Sequence, residues 1–85
     1  MPYLKKEKRN KFDHALLILN EEIENGADIN YCITKLCILF IKKFGKNYKN
    51  LSECISSMEC AKNEFYRKQI APYENLKERE NGEIE

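Results

Sequence analysis

The stretch MECAKNEFYRKQIAP, Met58 to Pro72, gathers a thiol, two carboxylates, a phenol and three cationic side chains into about four helical turns. Those residue types could serve a cysteine nucleophile, acid–base chemistry, or an aromatic and cationic grip on an anion. Which of these is possible depends on the faces that result when the line is wound into a helix. At about 100° per residue, Met58, Ala61 and Phe65 fall on one apolar stripe. Glu59, Asn63, Tyr66 and Ile70 follow a second line at spacings of 4, 3 and 4, which reaches upstream through Ser52 and Ser56 and is bordered by Arg67. Cys60 points away from Glu59 and Tyr66, and Glu64 with Lys68 forms an i,i+4 surface pair.

The catalytic alternatives lack their parts. His14, beside the apolar run ALLIL, has no link in the sequence to any cysteine, so no Cys/His pair is indicated. There is no glycine-rich phosphate loop, no H-E-x-x-H and no paired-carboxylate motif. Cys32, Cys37, Cys54 and Cys60 lie 5, 17 and 6 positions apart within helical patterns, which reads as reduced thiols without a metal. The expectation is a non-enzymatic protein without a cofactor. Binding suits the composition better, because Tyr3, Tyr31, Tyr48, Tyr66 and Tyr73, with Arg9 and Arg67, are amphipathic groups of the kind that line interfaces.

Charge narrows the choice of partner. The 85 residues carry a net charge of only +1, but Lys5, Lys6, Lys8, Arg9 and Lys11 against Glu7 make the start basic. Lys42, Lys43, Lys46 and Lys49 form a second basic cluster, and residues 74–85 hold five glutamates against Lys77 and Arg79. The basic patch at 5–11 reads first as a solvated surface and only third as a weak nucleic-acid contact. The start of the chain has no apolar signal region, and the apolar run containing CILFI is far too short to span a bilayer, so a cytoplasmic protein without a membrane partner is expected.

Three helices must position these groups. Phe12, Leu16, Leu19 and Ile23 mark the first, over residues 5–24, ended by the Asn25–Gly26 pair. The second starts at a cap on Asp28 or Asn30 and carries Ile29, Ile33, Leu36, Cys37, Phe40 and Phe44, with Gly45 as its stop. Ile38 and Leu39 lie off that stripe, leaving this helix apolar nearly all round and pointing to a subunit interface there. The third opens with NLSE, Asn50 capping and Glu53 reaching back, and carries Leu51, Cys54, Ile55, Met58, Ala61 and Phe65 as far as about Ile70. Pro72 predicts a break or kink. The reading is an all-α fold, an antiparallel helical hairpin plus a third helix in a small bundle, as one helical domain over 1–72. An acidic tail, 73–85, is partly helical and then extended or disordered. A chain of this size buries only about 60–65% of its surface, so a homo-oligomer is expected, with Ile38, Leu39 and Ile70 at its interface.

Four blocks, MPYLKKEKR, DINYCITKL, MECAKNEFYRKQIAPYE and KERENGEIE, together resemble a group of small single-domain proteins of bacteria and their phages that carry no established activity. A one-helix likeness goes further. EFYRKQIAP is similar to the interface helix of helical-hairpin phage proteins that sequester cyclic-nucleotide immune signals. That resemblance implies capture of a small anionic ligand between subunits, within the host cytoplasm, with Tyr66, Arg67 and Lys68 as the aromatic and cationic groups; Glu59 and Asn63, from the line on the same helix, complete the candidate ligand-binding set. No second basic-aromatic motif accompanies it. The alternative is an interaction module that docks on a host protein through the second helix and the line on the third.

Overall fold

A computed structural model describes residues 4–84. The chain is all-helical, with no strand among the described residues. Helix α1 spans Lys6–Glu22, α2 Gly26–Phe44 and α3 Tyr48–Phe65; a π-helical turn at Tyr66–Ile70 then leads directly into α4, Ala71–Asn81. The chain divides into two units, residues 1–45 with α1 and α2, and residues 46–85 with α3, the π-turn and α4.

Each helix start has a local cause, and two differ from the positions predicted. The Asn25–Gly26 pair opens α2 instead of closing α1. The Asn25 side chain accepts the Asp28 backbone N–H at 3.0 Å, and the Asp28 carboxylate accepts the Glu24 N–H at 2.9 Å. This pair of bonds satisfies one open donor of the first turn and one of the entering chain, so the cap falls on Asn25, three residues before Asp28, and the helix begins at Gly26. In α3, Asn47 replaces the predicted Asn50: its side chain accepts the Asn50 N–H at 2.9 Å, which makes Asn50 the capped residue and Tyr48 the first helical one. By contrast α1, which ends at Glu22 with Ile23 already extended, has no side-chain cap at Lys5.

Helix α2 stops as predicted at Gly45, whose φ of 109° suits glycine and whose N–H bonds to the Ile41 carbonyl at 2.8 Å. At Pro72 the helix widens and continues. The Ala71 N–H reaches the Tyr66 carbonyl, five residues back, and the chain stays helical to Gly82, where φ is again positive at 92°. A proline ring inside an α-helix clashes with the carbonyl four residues before it; the wider π-turn relieves that clash without a break.

No described residue is buried. The apolar stripes run where the periodicity puts them, yet their members face outward: Leu16 is 57% exposed, Leu36 68% and Ile55 64%. Within the first unit, no Cα of α1 comes within 8 Å of α2, so the single chain does not pack these two helices into a hairpin. Local apolar contacts do form, such as the Phe40 and Phe44 rings, 4.8 Å apart and one turn from each other along α2.

Candidate functional site

The candidate site lies in the second unit, on the last turns of α3, the π-turn and the first turns of α4. Tyr66 occupies the junction, its backbone N–H shared between the Asn63 and Lys62 carbonyls. Its hydroxyl donates to the Glu74 carboxylate, eight residues on. In an unbroken α-helix those two positions would stand about 80° apart around the axis; one extra residue in the intervening turn reduces this to about 20°. The π-turn therefore makes this contact possible. Accepting the hydrogen bond, carrying negative charge and adding slight desolvation, in that order, the surroundings at Glu74 push the Tyr66 phenol above its ordinary pKa.

The same extra residue corrects the predicted line. Glu59 and Asn63 lie on α3 and Tyr66 opens the π-turn with its N–H still reaching the Lys62 carbonyl four residues back, but Ile70 comes after the extra residue and is rotated off their line by about 100°. Glu74 takes its place beside Tyr66. Arg67 is engaged as well: its Nη2 donates to both oxygens of Glu64, at 2.8 and 3.0 Å. Glu64, read from the sequence as the partner of Lys68, thus holds Arg67, one position nearer. Glu59 pairs with Lys62 at 3.0 Å in solvent. Lys68 sits exposed in the π-turn itself. Glu74 was missed by reasoning from spacing; the signal that finds it is Pro72, which forces the extra residue between it and Tyr66.

The remaining candidates lie elsewhere. Ile38 and Leu39 are on α2, 44% and 49% exposed, in the first unit. Lys5, Lys6, Lys8, Arg9 and Lys11 are exposed around the start of α1, where successive positions turn by about 100° and so spread the charges round the helix. Arg9 Nε donates to the Leu4 carbonyl at 2.8 Å, and Lys11 lies over the Phe12 ring at 4.9 Å. Such a distribution does not form the one-sided basic stripe that follows a phosphate backbone. Tyr3 lies outside the described residues. The four thiols are half-buried, and among the described residues no three His, Cys, Asp or Glu side chains gather as a metal cage. No helix there is long and apolar enough to cross a membrane.

Most of the charged groups around the π-turn are engaged, the Tyr66 phenol on Glu74, the Arg67 guanidinium on Glu64 and, upstream in α3, the Lys62 ammonium on Glu59, while Lys68 projects exposed from the turn. What the arrangement offers a partner is the apolar surface beside them. No curated protein and no solved structure matches the chain. One family model does, over residues 1–84, and the chain accordingly belongs to the family described as a domain of unknown function, DUF6899.

Proposed function

We propose that this protein is a non-enzymatic helical association module, a homo-oligomer whose core forms between copies of the chain. The observation that carries this reading is the exposure of every apolar stripe together with Ile38 and Leu39, in a chain with no buried residue among those described.

Capture of a small anion, such as a cyclic nucleotide, has less support from the geometry. A phosphate at the π-turn would have to displace Glu64 from Arg67 and would meet the Glu74 carboxylate beside Tyr66. Light scattering across a concentration series tests the proposal: a mass of two or more chains is expected, and a 10.1 kDa species at the highest concentration would sink it.

A further inference from the structure

Resting on that self-association, we infer that copies of the chain meet through one face of the second unit, formed by Leu51, Ile55, Met58, Phe65, Ile70 and Tyr73, and that the π-turn keeps this face continuous. In α3 the first four positions recur at 4, 3 and 7 residues and form a single stripe. Were the helix α throughout, Ile70 would stand about 105° from the stripe's centre and Leu76 would lie on it. One additional residue in the turn reverses these roles. Ile70 then continues the stripe, Tyr73 stays at its edge about 55° from the centre, and Leu76 stands about 115° away. The Tyr66–Glu74 hydrogen bond reports the same shift independently, since it joins positions that only the added residue brings onto one side. Pro72 is its cause, because the α alternative drives the proline ring into a carbonyl.

The occupant of this face is a second copy, running antiparallel. Within this unit Leu51, Ile55, Phe65, Ile70 and Tyr73 are exposed and Met58 is half-buried, so the strip along α3–α4 is uncovered by the unit that carries it. The unit is also charged oppositely at its two ends, with Lys46 and Lys49 at the start and five glutamates against two basic residues over 74–85. A two-fold axis near Asn63 and Glu64, just before the π-turn, places each basic end against the acidic end of the other copy, so one patch is complementary to itself. Lys62 falls on the strip itself, between Met58 and Phe65, and its ammonium is paired to Glu59 at 3.0 Å.

Two substitutions six residues apart, in the full-length chain, distinguish the registers. Ile70→Glu is expected to weaken association about a hundredfold or more, because each two-fold interface carries the substitution twice; Leu76→Glu should change it less than about threefold. Ile70→Leu should restore wild-type mass, separating a lost contact from a lost fold. Sedimentation equilibrium gives the constants. Dissociation by Leu76→Glu with Ile70→Glu unaffected, equal effects from both, or no effect from either would overturn the inference while leaving the oligomer intact. A monomeric wild-type chain would instead overturn the self-association itself. Zero-length cross-linking of mixed isotopically labelled and unlabelled chains should join Lys46 or Lys49 of one copy to Glu78 or Glu83 of the other, and links confined to like ends would refute the antiparallel arrangement.

Discussion

The hydroxyl of Tyr66 is bound to a carboxylate eight positions away, and the bond is sensitive to pH in one direction. A phenol raised above its ordinary pKa contributes its full stabilisation below that ordinary value and loses it as the pH climbs through the raised one. Alkaline titration followed by tyrosine absorbance, comparing the chain with Tyr66→Phe, should therefore show the Tyr66 step displaced upward, and Glu74→Gln should bring it back down. A Tyr66 step unmoved by Glu74→Gln would separate the two groups in solution. The sequence was legible here only up to the turn. Periodicity holds for Glu59 and Asn63 on α3 and as far as Tyr66, whose N–H closes the last α-helical turn; it misplaces Ile70 and overlooks Glu74 because a constant period cannot register an inserted residue.

Helix existence followed from the apolar spacing, and helix starts did not. Asparagine competes well for the cap wherever its side chain can reach an N–H three residues on, so both Asn25 and Asn47 prevailed over candidates further along. Replacing either with alanine should cost about 1 kcal/mol, read as an earlier denaturation midpoint; no loss from either would mean that water satisfies those donors equally well. Helix α1 is the weakest of the set by the same criteria. It lacks a side-chain cap, it begins among Lys6, Lys8 and Arg9, and it closes on Glu21 and Glu22, so both ends oppose the helix dipole. Gly45 was readable in advance because the sequence offers one residue there that accepts a positive φ at no cost. Pro72 predicts a break or a kink, and a local change of pitch lets the helix pass it unbroken.

For the molecule as a whole, the apolar stripes specify that helix faces must be covered and leave open by what. That is why the helices and their faces were legible while the hairpin was not: α1 and α2 do not approach within one chain, and every large apolar side chain predicted for the core is at least partly exposed. If copies supply the cover, folding and association are one equilibrium. A tenfold rise in chain concentration should then stabilise a dimer by about 1.4 kcal/mol and raise the thermal midpoint accordingly. A midpoint independent of concentration would show that each chain covers its own faces.

The π-turn also bears on how length changes are tolerated in this helix. Because Tyr66–Ile70 holds one residue beyond an α-helical turn, removing Gln69 together with the Pro72→Ala exchange leaves Phe65 and Tyr73 on a common side. The same single-codon deletion within α3, at Ser57 for example, rotates everything after it by about 100° relative to what came before. Residues 66–70 are thus the segment of α3–α4 where the chain can lose a residue and keep its faces aligned.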